Sequence, residues 1–206
     1  MTDPDQRLDD VIAAIDAANA CDPNVVQIDG GTVPAELLYG QRMSAALARM
    51  APNASELLQI AGRGQHIERW TSPRSGYPAG RAGYLRWRND LKEYHARRLG
   101  EIMAASGYGP HEAARVGALV RKERLRSDPE VQMLEDVVCT VFLEYYLGDF
   151  MRKTDEARLA RILTQTWNKM SAQGQAHASK LDLPPIVQTL LKRGLEQFPP
   201  PLAGEY

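Results

Sequence analysis

Between Val131 and Leu147, apolar residues fall on nearly every face of one helix: Val131, Leu134, Val137, Val138, Val141, Phe142, Leu143, Tyr145, Tyr146 and Leu147. A helix that is apolar all round has to be surrounded by other elements. This segment therefore predicts a central helix within a helical packing, and it makes the polar residues on that helix informative. Glu135, Asp136 and Glu144 lie on it, and burying a carboxylate without a partner is costly. Asp136 shares a face with Cys139 and Leu143. It is expected to point inward, either paired with an arginine or bound to a metal.

The remainder of the chain also reads as helix. Leu8, Ile12, Ile15 and Ala18 recur at spacings of three and four, a first helix that ends near Cys21-Asp22-Pro23. Val25 to Ile28 is a short extended piece before the turn Asp29-Gly30-Gly31. Pro34 suits the first turn of a helix running to about Met50. Asn53 or Ser55 caps another, through Leu57, Leu58 and Ala61 to His66. Residues 71–80 are a loop. Arg81 to about Ala105 is a long helix stopped by Ser106-Gly107-Tyr108-Gly109-Pro110, and further helices are expected over 111–125, 127–151, 155–170, 173–180 and 184–197. No strand series and no repeat of fixed period is visible. The predicted fold class is all-α: one compact multi-helix domain over 1–197 with a C-terminal helical extension, then a Pro-rich frayed tail over 198–206.

Several classes are excluded. At 44% hydrophobic and 25% charged, the 206 residues are not collagen-like, low-complexity or disordered. The two cysteines, Cys21 and Cys139, make no CxxC pair, which argues against a disulfide scaffold or a thiolate zinc site. The first 22 residues carry six Asp against Arg7 alone, unlike a signal or transit peptide. The longest nearly apolar run, Val137 to Leu147, is too short to span a bilayer. A cytoplasmic protein without a membrane partner is expected. GxGxxG, Walker, GxSxG, HExxH and di-iron ExxH patterns are all missing.

A formal charge of −1 averages over uneven segments. From Arg63 to Arg98, nine basic residues face three acids, a net +6, and Arg115 to Arg126 adds a net +4. Trp70, Tyr77, Tyr84, Trp87 and Tyr94 are interleaved with the first set, and Arg81, Tyr84, Arg88, Leu91 and His95 form one helical stripe. Guanidinium forks match phosphate and carboxylate oxygens, and aromatic faces stack on a ring. Three readings stay open: a solvated face against the acidic first helix, a pocket for an anionic small molecule, and a nucleic-acid surface. Nucleic acid is the weakest, because the whole chain is not basic. His111 and His177 read as solvated. His66 closes an apolar helix end and His95 lies on a core-facing stripe; either one alone reads as a satisfied core residue, but two inward histidines beside an inward Asp136 make a metal candidate.

The segments Pro34-x-Glu36-Leu37-x-Tyr39, Gln65-His66-Ile67-x-Arg69-Trp70, Arg81-x-Gly83-Tyr84-x-x-Trp87-Arg88, Leu134-Glu135-Asp136-Val137 and Thr166-Trp167-x-Lys169-Met170-Ser171 resemble the family called domain of unknown function 4202. A more remote resemblance is to the HD superfamily of helical metal-dependent phosphohydrolases. There Leu57 to His66 looks like the helix leading into the His-Asp pair, His95 like a later His and Asp136 like the late Asp. Ile67 stands where the Asp of the pair belongs, and Glu36 falls near the early His.

That resemblance implies an HD-like fold and a divalent metal (Mn, Mg, Fe or Zn) held by His66, His95, Asp136 and Glu36, lowering the pKa of a bound water. Arg69, Arg74, Arg81, Arg88 and Lys122 would neutralise a phosphate, Trp70, Tyr84 and Trp87 would shape the pocket, and Glu68 or Glu135 would serve as general base. Iron acting on dioxygen in the same cage is a variant. The expected function is metal-dependent hydrolysis of a phosphorylated or otherwise anionic, nucleotide-like small molecule. The alternative is a non-catalytic nucleotide- or RNA-binding protein using residues 63–98.

Overall fold

A computed structural model describes residues 4–197. The fold is all-α apart from one small hairpin, and the chain divides into two compact units, 1–134 and 135–206, at a point within one helix.

The first unit opens with α1 (Pro4–Asn19), whose Val11 and Ile15 are fully buried. A hairpin follows, β1 (Val25–Ile28) antiparallel to β2 (Gly31–Pro34), with Val26 opposite Val33. Only its first strand is visible in the sequence. The second is four residues long and closes on a proline, so it carries little strand signal. α2 (Ala35–Met50) starts directly after Pro34 and buries Tyr39, Met43, Ala46, Leu47 and Met50, one stripe at helical spacing.

Ser55 caps α3 (Glu56–Arg63), its hydroxyl accepting from the Leu58 N–H. This helix stops three residues short of His66, which instead begins a turn. Two single 3₁₀ turns, Arg69–Thr71 and Arg74–Gly76, occupy the predicted loop. α4 (Gly80–Ala105) buries Trp87, Leu91, His95, Leu99, Ile102 and Met103. α5 (Pro110–Arg121) ends where Lys122 turns left-handed at φ 61, with the Glu123 N–H donating to the Ala118 carbonyl and the Lys122 N–H to that of Leu119. That is a Schellman ending on a lysine rather than a glycine. α6 (Pro129–Val141) contributes its first residues to this unit.

The second unit continues along α6, passes through a π-helical turn (Phe142–Tyr146), and adds α7 (Leu147–Arg152), α8 (Glu156–Lys169), α9 (Ala172–Ala178) and α10 (Pro185–Gln197). Cys139, Leu143, Leu147, Leu159, Leu163, Met170, Val187 and Leu190 form its core. The apolar segment is therefore not one continuous helix. Val131, Leu134, Val137 and Val141 are fully buried as expected, but the π turn rotates Glu144 and Tyr145 out to solvent. Among the described residues no helix is long and apolar enough to cross a membrane. The expected frayed tail, 198–206, lies outside the described residues.

Candidate functional site

The site grows from the end of α1 and the start of α2. The Glu36 N–H donates to Asp22 Oδ2 at 3.0 Å, and Asn19 Nδ2 donates to the Glu36 carbonyl at 3.4 Å. Asp22 is itself braced, its Oδ1 accepting from the Asn24 backbone and side-chain amides at 2.9 and 2.8 Å. The other end of the Asn19 amide, Oδ1, accepts the Glu68 N–H at 2.9 Å, and Glu68 has a left-handed φ of 49°. Two buried polar residues thus tie the first turn of α2 to the segment that carries His66 and Arg69.

On that frame four planar groups are layered. Tyr39, one turn beyond Glu36, stacks on His66 with centroids 3.9 Å apart and planes 11° off parallel. Arg69 Nη1 lies 3.2 Å from both ring nitrogens of His66. A nitrogen equidistant from the two at that range would collide with the ring carbon between them if it lay in the ring plane, so it lies over the face. Tyr39 covers one face; Arg69 takes the other. Beyond it, the Arg69 guanidinium sits 5.1 Å from the Trp87 ring centroid, and the indole N–H is anchored on the Ser72 carbonyl at 2.8 Å. A guanidinium between two aromatic rings is held by cation–π attraction on both sides.

The edge of the His66 ring meets a carboxyl: Nδ1 is 3.3 Å from Glu36 Oε2. Burial pushes the Glu36 carboxyl up to about 7, against the opposing pull of Arg69 and with a small push from Asp22. Burial also holds the His66 imidazole well below its usual value, and the charges of Arg69, Lys122 and Arg88 hold it lower still. The His95 ring, 6.2 Å away, is lowered to about 3, first by burial and then by His66 and Arg69. Its Nε2 is buried without a hydrogen-bond partner. The result is an acid–base pair poised at neutral pH, two uncharged imidazoles and a surrounding set of cations. Perturbed groups of this kind gather at functional sites.

The structure thus brings together Glu36, His66, His95, Arg69 and Trp87, with the charges of Arg88 and Lys122 reaching the pair. Other expected site residues are engaged elsewhere. Glu68 accepts from the Tyr94 hydroxyl at 2.6 Å and Arg98 Nε at 3.0 Å, contacts that hold its carboxyl low despite partial burial. Arg74 donates to the carbonyls of Tyr77, Pro78 and Gly80 and clasps its own loop. Arg81 is exposed, Trp70 is half-buried, and Tyr84 is 43% exposed with Arg88 5.9 Å over its ring.

Asp136 and Glu135 belong to the second unit. Asp136 is buried as expected, but its oxygens accept from the Ser171 N–H, at 2.8 Å, and from the Ser171 hydroxyl. Glu135 lies 3.9 Å from Lys169 Nζ.

This donor set does not suit a divalent metal. His66 lies in the field of Arg69, Lys122 and Arg88 and His95 in that of Arg69, charges that repel a dication, and the Asp136 oxygens accept from Ser171. Among the described residues no group of three or more His, Cys, Asp and Glu side chains gathers as a metal-binding cluster.

Asn19, Asp22 and Tyr39 escape the sequence reading of the site. Asn19 and Asp22 look like ordinary helix-ending residues ahead of Pro23. Tyr39 carried a usable signal, because it stands three residues from Glu36 on the same helical face.

The sequence also matches a known family model over residues 9–191. No curated protein and no solved structure matches it. The remote resemblance to the HD superfamily is not confirmed, and Ile67, at the place of the missing Asp, is fully buried in the core. The chain belongs to the family described as Domain of unknown function (DUF4202).

Proposed function

We propose that the protein is a hydrolase of a phosphorylated, nucleotide-like small molecule, and that the Glu36–His66 pair does the proton transfer. The observation that carries this reading is a carboxyl and an imidazole 3.3 Å apart, the carboxyl at about 7, inside a field of three cations. A general base works best with a pKa near the operating pH. Arg69, fixed face-on between His66 and Trp87, together with Arg88 and Lys122, neutralises the phosphate oxygens. With that charge cancelled, water loses a proton to the Glu36–His66 pair as it attacks phosphorus. The departing alkoxide takes a proton back from the same pair, so the pair ends as it began. The half-exposed Tyr84 offers a ring face for a base. Cys21, exposed, and Cys139, buried, are joined in no disulfide, which supports the cytoplasm as the compartment.

The test is phosphate release from a panel of nucleoside monophosphates, with AMP as reference, by protein treated with EDTA and by the same protein supplied with Mn or Zn. Release that persists in EDTA and disappears in Glu36→Gln supports the proposal. Release that requires added metal returns the site to the metal-dependent reading. Tight AMP binding with no release by wild type favours the non-catalytic nucleotide-binding alternative, for which the exposed Tyr84 and Arg88 on α4 supply the specific surface.

A further inference from the structure

Two buried side-chain atoms beside the acid–base pair have no partner. His95 is 4% exposed and Gln65 7% exposed, and His95 Nε2 and Gln65 Oε1 make no hydrogen bond. Burial, His66 and Arg69 hold the His95 imidazole low, against an opposing pull from the Gln65 backbone beside it. A neutral imidazole with its proton on Nδ1 presents Nε2 as an acceptor. Gln65 Oε1 is an acceptor as well.

Both residues border the pair: Gln65 precedes His66 in the chain, and the His95 ring is 6.2 Å from that of His66. Each buried unsatisfied acceptor costs about 1–3 kcal/mol, and native structures hold few of them. Something that donates completes this wall. A dication is disfavoured by Arg69 and its neighbours. Arg69 acts on His95 as well as on His66, so a ligand whose phosphate rests beside Arg69 stands next to both rings.

We infer that His95 Nε2 and Gln65 Oε1 form a hydroxyl subsite, accepting hydrogen bonds from adjacent hydroxyls of the ligand's sugar, so that the pocket selects a hydroxylated phosphate over its deoxygenated analogue. The inference rests on the reading of the pocket as an anion site. His95 acts here as a specificity-determining acceptor rather than as a base.

The experiment is calorimetric titration of the full chain with three probes: inorganic phosphate, AMP and 2′,3′-dideoxyadenosine monophosphate. A site built to hydrogen-bond a hydroxyl rejects the analogue that lacks it, so wild type is expected to bind AMP about tenfold or more tightly than the dideoxy compound. In His95→Leu the ratio collapses to about one, whereas His95→Gln, which keeps an acceptor at similar reach, retains a preference. Gln65→Met, on the other side of the subsite, lowers the ratio in the same direction and serves should His95→Leu not fold. Equal affinities in wild type that binds phosphate, or a full preference surviving in His95→Leu, overturns the hydroxyl subsite alone. Failure of all three probes to bind wild type overturns the anion reading, and the subsite with it.

Discussion

Glu36 and Asp136 are both carboxyls withdrawn from water, and both look from the sequence like metal ligands, yet their surroundings differ in kind. Asp136 has dedicated donors, the Ser171 N–H and hydroxyl, and Ser171 caps α9 with the same oxygen, accepting from the Gly174 N–H at 3.1 Å. The fit is close enough that a Cβ on Gly174 would lie 2.5 Å from Asp136 Cγ. Glu36 instead faces an imidazole that is itself kept uncharged, and its carboxyl titrates near neutrality. A buried carboxylate with its own donors joins helices. One set against a neutral imidazole among cations is arranged to exchange a proton. The difference lies in the partners, not in the carboxyl group itself.

The largest expected effect separates the two roles by activity. Glu36→Gln should lower kcat for AMP by about 10²- to 10⁴-fold, the usual scale for removing general acid–base catalysis. Asp136→Asn, corrected for folded protein, should stay within about twofold of wild type, since its carboxylate accepts from the Ser171 N–H and hydroxyl. Comparable losses in both variants would erase the distinction.

Stability should divide them the opposite way. Asp136→Asn leaves one donor of Ser171 without its acceptor, and denaturant unfolding should show a loss of about 1–3 kcal/mol. Gly174→Ala, which forces a Cβ against the same carboxylate, should cost a similar amount, about 1–3 kcal/mol, by overpacking. Glu36→Gln should be neutral or stabilising above pH 7, because it removes a carboxylate that burial disfavours. A stability loss in Glu36→Gln matching that of Asp136→Asn would make Glu36 a structural residue as well.

The pH dependence of stability should carry opposing contributions, from the two imidazoles on one side and from Glu36 on the other. His95 binds its proton near pH 3 when folded, against an ordinary value of 6.5. Between those values the unfolded chain holds more protons, so stability rises with pH across the window and is lost as pH falls through it. Glu36 titrates at about 7 when folded, against 4.5. There the folded chain holds more protons, and stability falls as pH rises from 4.5 to 7. Unfolding curves between pH 4 and 8 should therefore lose part of their rising component in His95→Leu, the remainder belonging to His66, and their falling component in Glu36→Gln. Wild-type pH profiles in both variants would contradict these assignments.

The helical layout is legible because amphipathic spacing and terminators are local. α4 begins one residue before its predicted start and ends on its predicted last residue, since Gly107 and Pro110 punctuate the chain whatever packs nearby. The π turn at 142–146 is not legible: an unbroken apolar run says that a helix is buried, not where its register shifts. In the site, His66, His95, Arg69, Trp87 and Glu36 stand out singly as titratable, basic or aromatic residues on apolar faces. Their assembly depends on Asn19 bridging Glu36 to Glu68, contacts that span 17 and 49 residues. No spacing rule encodes such contacts. Asp136 shows the same limit. Its inward orientation follows from the helical face, but its partner lies 35 residues away in a cap that forms only once α9 has folded.

The most direct test of the central claim, that the cations around the Glu36–His66 pair form the anion site, is calorimetric titration of inorganic phosphate into wild type, Arg69→Ala and Asp136→Asn without added metal. The account predicts binding by wild type and Asp136→Asn with similar affinity, and a loss of about tenfold or more in Arg69→Ala, where the guanidinium between His66 and Trp87 is gone. No binding by wild type, or affinity in Arg69→Ala equal to that of wild type, would contradict it.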